Sequence, residues 1–233
     1  MSCIWALVPI KQLTEAKTRL AGAMDATHRR ELVLAMAQDV LAALVESEAL
    51  SRVVIVSGIA DIDRMLAVPG ASTFDPRPAR GLNPELEYAA DWAHGQGARQ
   101  VLIVHADLPA LTGKTIRNFL NPPAAAGLLR IAASKEGTGT NMLLSSLPLP
   151  APLQFGKGSL SKFEAIATSN GIAIETRRDP LLAADIDELA DLRELAREAA
   201  NGKLRDTATA RWLKTMATPK FLSRCKTHTG SIG

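Results

Sequence analysis

Three cations and three carboxylates carry the chemical potential of this sequence. Lys11, Lys17 and Arg19 fall within nine residues, directly after an apolar run over residues 3–8 (CIWALV) that reads as a buried strand. A loop at the carboxyl end of the first strand of an open α/β sheet is where such folds bind ligands. Lysine supplies a mobile point charge and arginine a planar fork, so this loop suits a polyphosphate. A solvated helix face with a few charges is the competing explanation. The carboxylates are Asp107 and the pair Asp185 and Asp187, far apart in the chain and each placed after a predicted strand. Brought together at one sheet edge they suit Mg²⁺, which binds through one or two carboxylates plus phosphate oxygens and keeps several waters. Asp107 and Asp187 also stand where each can cap a following helix, and the two roles are compatible.

Weaker signals surround these. Gly81-Leu82-Asn83 offers close backbone approach and an amide for nucleotide recognition, with Arg80 beside it; a turn before a helix explains the same residues. Thr138, Thr140, Gly156 and Ser159 are small residues in glycine-rich loops, and Ser159 opens a predicted helix whose free N–H groups suit an anion. No G-x-G-x-x-G follows the first strand, which argues against a dinucleotide-dependent oxidoreductase. Gly113-Lys114-Thr115 looks like the end of a phosphate-binding loop, but Leu108 stands where the upstream glycine belongs, so an ordinary helix start is expected. His28, His94, His105 and His228 have no ligand spacing, so a zinc site is not expected.

The elements that must position these groups alternate. A helix is expected over 27–47, with Leu32, Met36, Val40 and Leu44 at helical spacing and Thr27 as its cap. Val53–Val56, Ala71–Phe74 and Val101–Val104 read as strands, with a short helix near 61–67 and another from Pro84, where proline is pre-shaped for a first turn. This order predicts an α/β fold with a doubly wound, mostly parallel sheet. After residue 122 the pattern changes: Gly127–Ala133 and Asn141–Leu144 are strands joined by a Gly/Thr loop, which predicts a small antiparallel addition. A helix through Thr168, a strand at Ile172–Glu175 and helices over 187–200 and 204–216 complete the domain, set at 1–217. The polar stretch 218–233 reads as a disordered tail.

Composition narrows the class. With 233 residues and 47% hydrophobic content the chain can bury a sizeable core. The net charge of +3 is spread along the sequence and aromatics are only 4%, so neither a basic arm nor a stacking platform for nucleic acid is expected. Cys3 and Cys225 lie at opposite ends, which makes a disulfide framework unexpected. The apolar start is too short for a secretory leader and no apolar run reaches membrane-spanning length. No membrane partner and a cytoplasmic location are expected.

Six short motifs occur in a specific order: residues 8–21 (VPIKQLTEAKTRLA), Gly81-Leu82-Asn83, Ala106-Asp107-Leu108-Pro109, residues 136–141 (EGTGTN), Phe155-Gly156-Lys157-Gly158-Ser159 and Asp185-Ile186-Asp187. The series resembles the phospholactate guanylyltransferase family of deazaflavin coenzyme (F-420) biosynthesis, over roughly residues 4–195. The resemblance implies a single-domain nucleotidyltransferase fold of the nucleotide-diphospho-sugar transferase type. It implies joining GTP to 2-phospho-L-lactate, phosphoenolpyruvate or 3-phospho-D-glycerate, with the acid's phosphate attacking the α-phosphorus and pyrophosphate leaving.

Under that resemblance Lys17, Arg19 and Asp107 are the catalytic candidates. Lys11, Lys17, Arg19, Arg80, Gly81 and Asn83 serve the nucleotide, and Asp107, Asp185 and Asp187 hold Mg²⁺. Thr138, Thr140, Gly156, Lys157 and Ser159 serve the acid. The implied partner is the transferase that passes the phospho-acid to the deazaflavin precursor, and a homodimer stays open.

The sequence departs from the family pattern at two positions. His105 replaces a frequent proline, a change expected to be neutral. Lys157 also replaces a frequent proline, and its mobile charge keeps 3-phosphoglycerate beside the other two acids; a solvent-facing Lys157 is the alternative. Two other functions compete: nucleotidyl transfer to another acceptor such as molybdenum cofactor, which normally uses a glycine-rich first loop, and a non-catalytic nucleotide-binding protein, which would be expected to lose the carboxylates.

Overall fold

The first strand, β1 (Ile4–Pro9), is buried on both faces: Ile4, Ala6 and Val8 pack on one side of the sheet, Trp5 and Leu7 on the other. Such two-sided burial is why a parallel strand reads as a continuous apolar run. In this computed structural model, which describes residues 3–11, 13, 17–78, 80–125, 127–201 and 206–216, β1 lies at the centre of a seven-stranded sheet. The other strands are β2 (Arg52–Val56), β3 (Ala71–Phe74), β4 (Gln100–Val104), β5 (Leu129–Ala133), β6 (Thr140–Ser146) and β7 (Ile174–Arg177). The order across the sheet is β3-β2-β1-β4-β6-β5-β7. β6 runs antiparallel to both β4 and β5, while the other four pairings are parallel.

Helices cover both faces. On one side, α1 (Ala26–Glu46), α2 (Ile62–Leu66), α4 (Gly113–Leu120), α6 (Leu189–Ala200) and α7 (Ala208–Met216) share a core with Ile4, Ala6 and Val8. On the other, α3 (Leu82–Gly95) and α5 (Ser159–Ser169) pack against Trp5, Leu7, Val54 and Ile103. The alternation of helices and strands, the mostly parallel sheet and its antiparallel addition are therefore as the residue pattern predicts. The strand order reverses at β1, whose neighbours β2 and β4 are reached by connections on opposite sides, and this opens a crevice at the carboxyl ends of β1 and β4.

Several local expectations are corrected. The cap of α1 is Asp25, whose Oδ1 accepts from the His28 backbone N–H at 2.9 Å, so Thr27 already lies inside the helix. Helix α3 begins at Leu82, with Pro84 in its first turn, and β7 starts at Ile174 rather than Ile172. Asp107 caps no helix: α4 starts at Gly113, and Thr112 Oγ1 accepts from the Thr115 N–H at 3.1 Å. Nor does Asp187 cap α6. That role belongs to Glu188, which forms a reciprocal capping box with Asp191. Asp185 does not follow a strand directly, because residues 178–184 intervene after β7. Asp179 organises that connection, its Oδ1 accepting from the Leu181 N–H at 2.8 Å. Gln12, Thr14–Ala16 of the first motif, Cys225, His228 and the expected tail 218–233 lie outside the described residues.

The antiparallel addition rests on a buried charge. Arg130 on β5 is 1% exposed; its Nε donates to Glu175 Oε2 at 2.7 Å and its Nη1 to the Phe119 carbonyl at 2.9 Å, joining β7 and the end of α4. Arg130→Ala leaves a large cavity and an unpaired carbonyl, so urea unfolding should show a loss of about 2–4 kcal/mol. Glu175→Gln should cost about 1 kcal/mol or less, since Glu175 is partly exposed and the amide still accepts a hydrogen bond.

Candidate functional site

Lys17 stands at the centre of the crevice. It has a left-handed backbone conformation (φ 55°, ψ 45°) at the entry to the short 3₁₀ turn Thr18–Leu20. Such a conformation costs a non-glycine residue about 1–3 kcal/mol and persists only where the surroundings impose it. Here the surroundings are two carboxylates: Lys17 Nζ donates to Asp107 Oδ2 at 2.5 Å and to Asp187 Oδ1 at 2.7 Å. One ammonium thus joins the loops after β1 and β4 to the start of α6. The Lys17 side chain is 10% exposed, Asp107 23% and Asp187 49%.

Burial alone would lower the Lys17 pKa, but Asp107 and Asp187 outweigh it and hold the ammonium above the ordinary lysine value. For Asp107 burial pushes upward, yet Lys17 and the neighbouring His105 bring the carboxyl below the usual range. Asp107 is thus a charged acceptor, and its Oδ1 is buried without a hydrogen-bond partner. Asp185 behaves differently. Burial raises its pKa in spite of a hydrogen bond from Asn141 Nδ2 at 3.0 Å, and the charges of Asp107 and Asp187 add to the rise.

A cavity of about 250 Å³ opens beside this cluster, lined by Ile10, Lys11, Lys17, Leu82, His105 and Asp107 among others. Lys11 reaches Glu85 Oε1 at 3.0 Å, and the same oxygen accepts from the backbone N–H groups of Arg80 and Gly81 at 3.1 and 3.2 Å. Sequence reasoning missed Glu85. The available signal was an acid in the first turn of a helix whose cap, Gly81, has no side chain. Arg19 meets Glu188 at 3.2 Å with both side chains exposed, a contact of small energetic weight. Arg80 is turned away, its guanidinium 5.9 Å from the Tyr88 ring centre.

Asn83 is not a free amide. Its Nδ2 donates to the Phe155 carbonyl at 3.0 Å and its Oδ1 accepts from the Phe155 N–H at 2.9 Å, tying the first turn of α3 to the glycine-rich loop before α5. In that loop Gly156 and Gly158 have φ of 123° and 67°, which favour glycine, and Lys157 is exposed. Ser159 is buried and its N–H is bonded to Gly156 O, while the Leu160 N–H is bonded to Thr138 O. Two of the first N–H groups of α5 are therefore engaged, which narrows the expected anion site there. Thr138 is exposed; Thr140 is buried with its Oγ1 unpaired, next to Asn141 and hence to Asp185.

The structure thus gathers Lys17, Asp107 and Asp187 tightly, with Lys11 on the wall of the same cavity and Arg19 and Asp185 at the margins. Gly81, Asn83, Thr140 and the loop Gly156–Ser159 form an adjoining wall. Among the described residues no group of three or more His, Cys, Asp or Glu side chains is placed to hold a metal ion, and Asp107 and Asp187 share the Lys17 ammonium. A larger cavity of about 570 Å³ lies between α1, the end of α2 and the start of α7. None of the predicted site residues lines it. Its buried Asp39 caps α7 by accepting from the Ala208 and Thr209 N–H groups at 2.7 and 2.9 Å, which is a structural task. No helix among the described residues is long and apolar enough to cross a membrane.

The Asn83–Phe155 pair can be tested without any assumption about function. Asn83→Ala should speed amide hydrogen exchange at Phe155 by roughly tenfold or more, the equivalent of one lost hydrogen bond. Leu153, whose N–H donates instead to Glu87 at 2.7 Å, serves as the unchanged control.

Over 201 residues the chain is 35% identical to a phosphoenolpyruvate guanylyltransferase of Sphaerobacter thermophilus, covering 86% of this chain and 96% of that one. It is 31% identical to a phosphoenolpyruvate guanylyltransferase of Conexibacter woesei, covering 85% and 91%. In fold it matches a nucleotidyl transferase of Methanothermobacter with a TM-score of 0.64 at 16% identity, covering 92% of this chain and 100% of that one. A cytidylyltransferase of Leptospira borgpetersenii matches with a TM-score of 0.55 at 13% identity, covering 99% and 100%. Residues 4–221 match the family described as guanylyl transferase CofC like, and with two relatives above 30% identity over most of its length the chain belongs to that family of nucleotidyltransferase enzymes.

Proposed function

We propose that this enzyme transfers the guanylyl group of GTP to the phosphate of a three-carbon acid, with phosphoenolpyruvate as the first candidate, in the assembly of coenzyme F-420. The observation that carries this reading is the position of Lys17 between Asp107 and Asp187, in the crevice beside β1 and β4. Transfer of a nucleotidyl group depends on positioning and charge neutralisation more than on covalent help. The relatives named as phosphoenolpyruvate guanylyltransferases support the choice of acid. 2-Phospho-L-lactate and 3-phospho-D-glycerate stay in the test panel.

The residues fit a Mg²⁺ ion. Asp107 is held charged, one of its oxygens is unpaired, and Asp187 is half exposed beside it. Two carboxylates match an ion that completes its shell with phosphate oxygens and water. Asp185, held by Asn141, supports the cluster from behind. When bound, Mg²⁺ would neutralise phosphate charge. The protein's own part is to supply Lys17, Lys11 and Arg19 along the triphosphate, where they offset the charge that grows on departing pyrophosphate. Lys17 would leave its carboxylates to do so, and Lys11 would leave Glu85. The acid's phosphate attacks the α-phosphorus from the side of Thr140 and the loop Gly156–Ser159. The product carries a free carboxylate next to an activated diphosphate, so a transferase that passes the phospho-acid to the deazaflavin precursor is its natural consumer.

Pyrophosphate release from GTP, measured with each of the three acids and with or without Mg²⁺, tests the reading. Release with an acid and Mg²⁺ supports it; no release with any of them rejects it. Asp107→Asn should keep the fold and lose about 100-fold or more in kcat, because the ligand loses its charge, and Asp187→Asn should follow it. Wild-type rates at limiting Mg²⁺ would remove Asp107 from the metal.

GTP should be used in preference to ATP. Equal rates with the two nucleotides would reject guanylyl specificity and leave nucleotidyl transfer standing.

A further inference from the structure

His105 is a polar group at the crevice to which the proposed reaction assigns no task. It sits at the end of β4, two residues before Asp107, and lines the same 250 Å³ cavity as Lys11 and Lys17. Its backbone N–H donates to the Asn141 carbonyl at 3.1 Å, which fixes it beside β6. Its ring lies 5.2 Å from the ring of Phe155, tilted by 44°. Phe155 in turn is held to α3 by Asn83, so the imidazole lies between the carboxylate cluster and the glycine-rich loop. Its Nε2 is buried and has no hydrogen-bond partner among the described residues. Buried ring nitrogens are normally paired, and one left unpaired costs free energy until something completes it.

We propose that His105 is a specificity-determining contact for the phospho-acid, donating its Nε2–H to an oxygen of the acid's phosphate or carboxylate. The inference rests on the guanylyl-transfer reading above. It requires only a proton on Nε2, a donor of fixed direction. The acid is favoured over GTP by placement. Lys11 and Lys17 approach from the β1 side, where the triphosphate is proposed to lie, whereas the His105 ring packs against Phe155, next to the glycine-rich loop proposed to hold the acid. A change of residue here that looks neutral in the sequence thereby acquires a function, because it introduces a donor at a buried position.

The test compares wild type, His105→Phe and His105→Gln, each checked for folding by thermal denaturation. Phenylalanine keeps the ring packing on Phe155 and removes the donor; glutamine keeps a donor. His105→Phe should lower kcat/KM for phosphoenolpyruvate by about tenfold, with KM for GTP changed by no more than about twofold, and His105→Gln should recover most of the loss. Equal kinetics of His105→Phe and wild type with all three acids would overturn the proposal, and so would a loss confined to the KM for GTP. A separate readout distinguishes failure of this inference from failure of the reaction assignment. In protein labelled with ¹⁵N-histidine, phosphoenolpyruvate should shift the His105 Nε2 resonance whether or not guanylyl transfer follows. No shift, or the same shift with GTP alone, overturns the contact. A shift without pyrophosphate release in the wild-type assay keeps the contact and rejects the reaction.

Discussion

A single ammonium between two carboxylates organises this protein's functional edge. Lys17, Asp107 and Asp187 come from three distant segments, and none of their elements pairs directly with all the others. A lysine with so little exposure needs opposite charge beside it, and a buried carboxylate left alone costs several kcal/mol. The contact therefore fixes the loop after β1 against the end of β4 and the start of α6. A second tie, from the Ile186 N–H to the Asp107 carbonyl at 3.1 Å, sets the same approach from the backbone. Two carboxylates to one ammonium leave the group with a net negative charge, which adds to the rise that burial imposes on the Asp185 pKa. A cluster of that sign, open on one side through Asp187, attracts cations and metal-bound phosphates rather than bare anions.

The sheet makes this meeting available. β1 is flanked by β2 on one side and β4 on the other, so the connections diverge and leave space above the strand ends. The antiparallel β6 then brings Thr140 and Asn141 to the same edge as His105, since β6 begins where β4 ends. Glycine at 139 matters in this turn: a Cβ there would stand 2.9 Å from Ser134 Oγ, which already accepts the Gly139 N–H at 2.9 Å. Asn83 closes the far wall by binding the Phe155 backbone as a neighbouring strand would. One amide side chain thus couples α3, on the side proposed for the nucleotide, to the loop proposed to hold the acid.

Helix capping explains how the aspartates became available. Asp107 and Asp187 are of the residue type that prefers helix starts. Thr112 and the Glu188–Asp191 box take the caps of α4 and α6, each displaced from the aspartate along the chain. The carboxylates then project into the crevice. Lys17 does so through a left-handed backbone conformation that no local rule favours for lysine. Strain of this kind at the proposed substrate site fits a group held ready to change partners.

Much of this was legible in the chain itself. Two-sided apolar runs such as Ile4–Val8 and Val101–Val104, spaced by helical patterns, define a parallel sheet, because burial on both faces leaves no room for polar alternation. The order of six short motifs points to the family, and the charged residues in them include those that meet at the crevice. What the sequence could not supply is which of several equal partners each side chain takes. Asn83 looks like an offered amide and is engaged by Phe155; Asp187 looks like a cap and instead holds Lys17; Glu85 draws no notice in the sequence and is buried and paired with Lys11. His105 looks neutral, yet one ring nitrogen is buried and unpaired. These are choices among contacts 70 to 170 residues apart in the chain, as with Asn83 and Lys17, and local propensity has no term for them. Only packing of the helices and strands sets those distances, so the tertiary structure alone decides which charges meet.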